Sequence, residues 1–98
     1  MKEKLVQLSV IVPFFNEEKT IIKVLKRLSE IKKQDFIYEV IVINDGSTDN
    51  SLSLLDQNKD LYDQLISYEI NSGKGHAVLK GLEVAKGKYI IFQDADLE

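Results

Sequence analysis

The chain has 98 residues, of which 44% are hydrophobic and none is cysteine. This length allows one small domain with a single core, and the lack of cysteine excludes disulfides and thiolate-bound zinc. The 13 Lys and Arg residues against 16 Asp and Glu give a formal charge of -3, which argues against a general nucleic-acid binder. No apolar run approaches the roughly 20 residues that a membrane span requires.

Short apolar runs alternate with amphipathic stretches along the chain, which predicts alternating strands and helices. In chain order, the predicted elements are a strand at 5–12, a helix at 17–33, a strand at 38–43, a helix capped by 48–50, a strand at 64–70, a helix at 75–86 and a strand at 88–93. Gly87 follows the last helix, where glycine commonly ends helices. This order predicts an α/β fold with a mainly parallel sheet, right-handed crossovers and flanking helices.

A polar loop follows each predicted strand. The four loops are 13–18, 44–49, 71–76 and 93–98. Because ligands of such sheets bind beyond the carboxyl ends of the strands, the four loops are expected to share one rim. Together they supply amide, carboxylate, glycine and cationic groups, and four unrelated turns would not need this combination.

The last loop carries two carboxylates one residue apart, Asp94 and Asp96, and a third acid, Glu98. Two carboxylates about 6 Å apart at an effective dielectric near 20 repel by roughly 2 to 3 kcal/mol, which favours a neutralising cation. Mg2+ and Mn2+ prefer oxygen ligands and commonly bridge one or two carboxylates to a substrate phosphate. A diphosphate is the expected guest. The alternative is a polar turn, in which Asp is common.

The other loops also have purely structural interpretations. Segment 44–47 is a good turn and helix-cap sequence by itself, and Glu18 suits a helix N-terminus. The Gly-Lys-Gly segment 73–75 permits close backbone approach and offers a cation to phosphate, but it is not the spaced phosphate-binding loop. His76 is a lone histidine at a helix start and is assigned no catalytic role.

Taken together, these segments resemble the start of a family 2 glycosyltransferase with the glycosyltransferase A fold. The resemblance covers nearly the whole chain through segments 10–18, 42–49, 71–77 and 87–98. Its last two segments are most similar to dolichyl-phosphate mannose synthases and bacterial polyprenyl-phosphate sugar transferases. The implied fold is a nucleotide-diphosphosugar transferase, Rossmann-like half domain. Many relatives have Asp where Asn44 stands, so one nucleotide contact is expected to be weaker or made through the amide.

The resemblance implies roles for the residues that match the family motifs. The nucleotide-binding residues would be Pro13, Phe15 and Glu17 around the nucleoside, Asp45 on the base or ribose, and Lys74 and Asp94 at the donor phosphates. Asp94 and Asp96 would form the catalytic Asp-x-Asp element, and Asp94, Asp96 and Glu98 the metal ligands. The implied cofactor is Mg2+ or Mn2+, and the implied donor is a UDP- or GDP-linked sugar.

The implied reaction transfers a sugar, with inversion, to an acceptor such as a polyprenyl phosphate. A phosphate acceptor is already anionic near neutral pH, and a strong general base is then unnecessary; no candidate for such a base is found. Resembling enzymes continue well beyond the Asp-x-Asp element. Residues 1–98 are therefore expected to be the N-terminal donor-binding part of a truncated catalytic domain, with little activity and a tendency to self-associate. The expected location is cytoplasmic, at the inner face of a membrane in the full-length protein.

Other functions are weighed against this one. A dinucleotide-binding oxidoreductase should show Gly-x-Gly-x-x-Gly after the first strand, where this chain has 13–16. A sugar nucleotidyltransferase could share the general fold, but its Gly-rich loop with Arg is missing from the same place. A non-catalytic α/β interaction module, in which the acidic turns are only structural, predicts no metal-dependent nucleotide binding.

Overall fold

The computed structural model describes residues 6–31 and 37–96. Its elements are β1 (Leu8–Phe14), α1 (Ile21–Ile31), β2 (Tyr38–Asp45), α2 (Ser51–Asp56), a 3-10 turn (Lys59–Leu61), β3 (Gln64–Tyr68), α3 (Lys74–Val84) and β4 (Tyr89–Phe92). The four strands form one sheet in the order β3-β2-β1-β4, and every pairing is parallel. The predicted α/β fold with a parallel sheet and flanking helices is confirmed.

The two central strands, β1 and β2, are apolar on both faces because helices cover both sides of the sheet. One face packs residues such as Val12 and Val42 against Leu25 of α1 and Leu55 of α2. The opposite face packs isoleucines of β1 and β2 against Ala77 of α3. Every residue of β2 is buried. The sheet is therefore fixed from both sides, and its carboxyl end becomes a rigid base for the loops.

Helix α1 begins at Ile21, four residues later than predicted. Asn16 has a positive φ of 52°. The N–H of Glu17 donates to Ser51 Oγ at the start of α2, and the N–H of Glu18 donates to Asp49 Oδ2 in the loop before it. These bonds hold the start of the segment in a loop conformation. The predicted end of this helix at residue 33 lies outside the described residues.

Strand β1 runs two residues further than predicted, through Pro13 to Phe14. Ile11 O accepts from Gln93 N, so the backbone polar groups of Ile11 face β4. The nitrogen of Pro13, two residues later, faces the same side, but pairing with β4 has already ended at Ile11. A proline is tolerated there because no ladder hydrogen bond is lost. The predicted start at residue 5 lies outside the described residues.

The later elements differ from prediction at their ends. Strand β3 stops at Tyr68 rather than at residue 70, and α3 ends at Val84 rather than at residue 86. Ala85 is extended, so Gly87 does not terminate the helix as predicted. Gly87 instead permits close packing on β1, because a Cβ there would lie 2.5 Å from Ser9 N.

Two remaining features complete the fold. Asn50 precedes α2 but makes no capping bond with its side chain; Asp49 Oδ1 accepts from Ser51 N at 2.9 Å instead, so the capping group lies within the predicted segment 48–50. Across the part of the chain that the structure describes, there is no helix with the length and apolar character needed to cross a membrane.

Candidate functional site

One cavity of about 300 Å³ lies at the carboxyl end of the sheet and receives residues from all four polar loops. Its lining includes the sequence-predicted residues Pro13, Phe15, Glu17, Asp45, Lys74, Asp94 and Asp96. The predicted convergence of the four loops on one rim is confirmed, because Asp45 and Asp96 line the same cavity. Glu98, the third predicted metal ligand, lies outside the described residues.

Asn16 joins the loop after β1 to the loop after β2. Its Oδ1 accepts from the N–H groups of Thr48 (2.8 Å) and Asp49 (3.2 Å), and its own N–H donates to Ser47 Oγ at 2.9 Å. The side chain thus ties together the two loops that contribute Glu17 and Asp45 to the cavity. Sequence reasoning assigned it no role, although Asn is one of the few residue types that readily adopts a positive φ.

Thr20 connects Glu17 to the segment that carries the two aspartates. Its Oγ1 lies 2.9 Å from Glu17 Oε2 and 2.8 Å from the carbonyl oxygen of Ala95. One hydroxyl proton is therefore shared between a carboxylate and a main-chain oxygen. This contact places the carboxylate of Glu17 beside the turn after β4, and Thr20 was missed because nothing in its local sequence links it to a residue 75 positions away.

Ala95 is buried in the core, whereas Asp94 and Asp96 on either side of it are exposed. A methyl group fits beneath the turn, and its burial holds both aspartates at the surface of the cavity. The sequence Asp-Ala-Asp therefore serves two purposes, because the small central residue anchors the turn and the outer residues present oxygen atoms to a ligand.

Asp45 is only 4% exposed, and its carboxylate holds the loop after β3. It accepts from Ser72 N (2.8 Å), Gly73 N (3.0 Å) and Asn71 Nδ2 (3.2 Å). Close packing of this loop also requires Gly46, where φ is +73° and a Cβ would lie 2.4 Å from Asn71 N. Asp45 therefore clamps the loop as well as lining the cavity, and its predicted contact with base or ribose stays a prediction.

Tyr68, the last residue of β3, is paired with Asp45 in the register of β2 and β3. Burial and the neighbouring Asp45 carboxylate raise the pKa of its hydroxyl well above the ordinary range, although Tyr68 Oη makes no hydrogen bond of good geometry with the described residues. Its ring and that of His76 pack in a T-shaped arrangement, with 5.3 Å between ring centroids. His76 is not among the residues that line the cavity.

Asn44 is buried and contributes to the fold rather than to the cavity surface. Its Nδ2 donates to Ser67 Oγ at 3.1 Å, and its Oδ1 accepts from Ser47 N at 3.0 Å. The side chain is not part of the cavity lining. The amide is therefore used internally, between β3 and the loop after β2, which accounts for an Asn at this position without a nucleotide contact.

Lys74 and Asp94 form an ion pair across the mouth of the cavity. Lys74 Nζ donates to Asp94 Oδ1 at 2.6 Å, and both side chains are 65% exposed. The hydrogen bond and the charge of Asp94 raise the pKa of Lys74. Exposed pairs of this kind stabilise a fold little, so a ligand that separates the two groups would cost the fold little stability.

The donor set suits a hard divalent cation that is shared with a ligand. Among residues 6–31 and 37–96 there is no cluster of three or more His, Cys, Asp or Glu side chains able to hold a metal on its own. Asp94 and Asp96 are nevertheless two exposed carboxylates at one cavity. Mg2+ is commonly held by one or two carboxylates, with water and substrate phosphate completing its shell, so the residues present fit such an ion.

Comparisons with known proteins place the chain in a wider group. The family model described as glycosyl transferase family 2 matches residues 9–98. The chain is 34% identical over 100 residues to undecaprenyl-phosphate 4-deoxy-4-formamido-L-arabinose transferase of Proteus mirabilis, and the match covers 98% of this chain and 31% of that protein.

Two solved structures have a similar fold. S. aureus TarS 1-349 in complex with UDP-GlcNAc superposes with a TM-score of 0.77 at 34% identity, over 93% of this chain and 27% of that one. The mannosyltransferase PcManGT from Pyrobaculum calidifontis, in complex with GDP-Man and Mn2+, gives 0.76 at 29% identity, over 95% and 28%. The chain thus spans less than a third of the length of the proteins compared.

Proposed function

The chain belongs to glycosyl transferase family 2, and we propose that it is the donor-binding part of an enzyme that transfers a sugar from a nucleotide diphosphate sugar. The observation that carries this proposal is the cavity that residues of all four loops line at the carboxyl end of the sheet. Its lining combines apolar residues, such as Pro13 and Phe15, with carboxylates and a lysine. This combination suits a ligand that has both a flat nucleoside and phosphates.

The nucleoside end is formed by Pro13, Phe15, Glu17 and Asp45. Phe15 is 43% exposed at the cavity, and it offers an apolar ring to a base. Asp45 fixes the loop 71–73, and Asn71 and Gly73 of this loop also line the cavity. Glu17 and Asp45 contribute the acceptors that select for base or ribose hydroxyl and amino groups.

The phosphate end is formed by Lys74, Asp94 and Asp96. Mg2+ or Mn2+ would be held by Asp94, Asp96 and Glu98, and when bound it stabilises the negative charge that develops on the leaving diphosphate. PcManGT, which this fold resembles, was solved with Mn2+ and GDP-Man. Lys74 adds a positive charge next to Asp94, since its Nζ lies 2.6 Å from Asp94 Oδ1. These residues hold the leaving group, and Asp94 and Asp96 are the catalytic pair.

The acceptor is a polyprenyl phosphate, and transfer proceeds with inversion at the anomeric carbon. The Proteus mirabilis relative is named for undecaprenyl phosphate. Such an acceptor brings its own anionic oxygen, so the site requires no strong general base. A lipid acceptor requires the working enzyme to act at a membrane surface, which we propose is the cytoplasmic one.

The 98-residue chain itself binds nucleotide and cation weakly and transfers little sugar, since its cavity is the donor side of the site. Calorimetry with UDP and GDP, with and without Mn2+, tests this. We expect one of the two nucleotides to bind only with Mn2+, and Asp96→Ala to weaken that binding by at least about tenfold. Asp60→Ala is the matched control, because Asp60 is an exposed carboxylate outside the cavity.

Several outcomes would count against the proposal. Nucleotide binding that does not depend on Mn2+ and is unchanged by Asp96→Ala would refute the proposed metal site. Preference for UTP or GTP over the sugar nucleotides would favour a nucleotidyltransferase, and the lack of any nucleotide binding would favour an interaction module. Measurable sugar transfer by residues 1–98 would overturn the assignment of the chain as a donor-binding part.

The chain also self-associates, through the outer edge of β4. Tyr89, Ile91 and Phe92 are exposed large apolar residues on this edge strand. Antiparallel pairing of two β4 strands about a two-fold axis would join these residues and bring Lys88 close to the partner's Asp94. The edge is thus complementary to itself in apolar surface and in charge.

Light scattering over a concentration series tests this association. Ile91→Lys should keep the chain monomeric, because it places a charge in the centre of the paired edge. Leu79→Lys is the matched control, since Leu79 is exposed on α3 away from β4. A wild-type chain that stays monomeric at high concentration, or a control that dissociates it equally well, would contradict the proposed edge.

A further inference from the structure

Lys74 holds one of the two carboxylates that the site offers to a cation. Its ammonium lies 2.6 Å from Asp94 Oδ1, although the two residues come from different elements: Lys74 opens α3, and Asp94 follows β4. The positive charge that neutralises Asp94 is thus supplied by Lys74 of the same chain. The carboxylate is therefore not free to bind a second positive charge at full strength.

A divalent cation and an ammonium compete for the same oxygen. Both are attracted to Asp94, and they repel each other when both are within a few ångströms of it. The divalent ion carries twice the charge of the ammonium and can bind Asp96 as well as Asp94. Lys74 is attracted by the charge of Asp96 but forms no hydrogen bond with that side chain. Binding of the cation should therefore displace the ammonium.

The displaced ammonium has a short distance to travel. Lys74 is exposed, its side chain has a flexible four-carbon stem, and it lines the same cavity as Asn71 and Gly73. We propose, on the basis of the function proposed above, that Lys74 is an exchangeable counter-ion, which pairs with Asp94 in the empty site and turns to the donor's phosphates when a divalent cation takes that carboxylate.

This exchange predicts opposite effects of one substitution on two ligands. Lys74→Met removes the competitor, so Mn2+ alone should bind about two- to fivefold more tightly, the size expected for an exposed charge pair. The same variant lacks the ammonium for the phosphates, so UDP or GDP at saturating Mn2+ should bind about tenfold more weakly. Lys74→Arg keeps the charge and should move neither affinity by as much.

The experiment measures free Mn2+ by electron paramagnetic resonance, and then nucleotide binding by calorimetry at saturating Mn2+. Lys80→Met is the matched control, because Lys80 is also on α3 and pairs with a carboxylate, Glu83, at 3.8 Å, but lies outside the cavity. It should change neither affinity. Unfolding in urea checks that the variants remain folded, which is expected because both side chains of the Lys74 pair are exposed.

The possible outcomes separate the two proposals. Weaker nucleotide binding with unchanged or weaker Mn2+ binding in Lys74→Met would overturn the exchange and leave the donor site standing. Tighter Mn2+ binding with unchanged nucleotide binding would overturn the transfer of Lys74 to the phosphates. A wild-type chain that binds neither Mn2+ nor nucleotide would remove the proposed function, and the exchange with it.

Discussion

Carboxylates at the two ends of the sheet differ in their burial and in their hydrogen-bond partners. At the amino end Glu39 is 6% exposed, and its oxygens accept from Ser9 Oγ (2.6 Å), Lys86 N (2.7 Å) and Gln64 Nε2 (3.3 Å). At the carboxyl end Asp94 and Asp96 are exposed. The difference is in the donors that the chain supplies. A carboxylate surrounded by buried donors holds the fold, whereas Asp94 is paired with the exposed ammonium of Lys74, which a ligand can displace.

Asp45 combines both situations. It stands at the carboxyl end and lines the cavity. Like Glu39, however, it is buried and accepts three hydrogen bonds, in this case from residues 71–73. The rim thus has a fixed part built around Asp45 and an open part built around Asp94 and Asp96. Substitutions should separate these parts by their effects on stability.

The largest loss of stability is expected at the amino end. Glu39→Ala leaves the buried Ser9 hydroxyl and the partly buried Lys86 N–H without their acceptor, and it should lower the free energy of unfolding by about 2 to 4 kcal/mol. Urea unfolding measures this loss. Glu39→Gln should lose less, because its amide oxygen still accepts. If Glu39→Ala cost no more than Asp94→Ala, the distinction between the two ends would fail.

A smaller loss is expected for Asp45→Asn. The amide nitrogen cannot accept, so one of the N–H groups of Ser72 and Gly73 loses its partner, which should cost about 1 to 2 kcal/mol in urea unfolding. Hydrogen exchange should accelerate at these two amides in particular. Unchanged exchange there would show that the carboxylate does not hold the loop.

A still smaller effect depends on pH. Burial raises the pKa of Asp49, but hydrogen bonds from Ser51 and from the Glu18 N–H outweigh it and leave that pKa below its ordinary value. A lowered pKa in the folded state stabilises the fold above the ordinary pKa, and this stabilisation is lost as the pH falls through the lowered value. Asp49→Asn should therefore be less stable than wild type at pH 7 and should lose less stability between pH 7 and pH 3. If urea unfolding showed the same difference in stability between Asp49→Asn and wild type at pH 7 and at pH 3, this prediction would be wrong.

The smallest effect on stability is expected at the open part of the rim. Asp96→Asn should change the free energy of unfolding by less than about 0.5 kcal/mol, as is usual for exposed positions, and yet remove the Mn2+-dependent part of nucleotide binding. Unfolding and calorimetry on the same sample measure both. A loss of stability comparable to that of Asp45→Asn would show that this carboxylate belongs to the fixed part.

The sequence predicts the sheet and the shared rim because both follow from local patterns. Alternating apolar runs fix the order of elements, and parallel strands must bring their following loops to one edge. The partners of individual side chains depend on long-range geometry instead. Nothing near Lys74 indicates that it pairs with a residue 20 positions away, and nothing near Asp45 indicates that the loop 71–73 folds back onto it.

Some missed features had a visible signal. Glu39 is an acid inside the apolar run of β2, and a charge in a strand that is buried on both faces must find internal partners. Ser9 stands directly opposite it in the register of β1 and β2. The late start of α1 had a weaker signal, since Asn16 tolerates a positive φ but does not by itself require one.

The close packing of Gly87 on Ser9 has a consequence for the distant site. Gly87 precedes β4, which runs for four residues, about 13 Å, alongside β1. Asp94 and Asp96 follow the far end of this strand. A larger residue at 87 would clash with the backbone of β1 and should weaken the pairing that holds β4, so the placement of the two aspartates depends on a contact at the opposite end of the sheet.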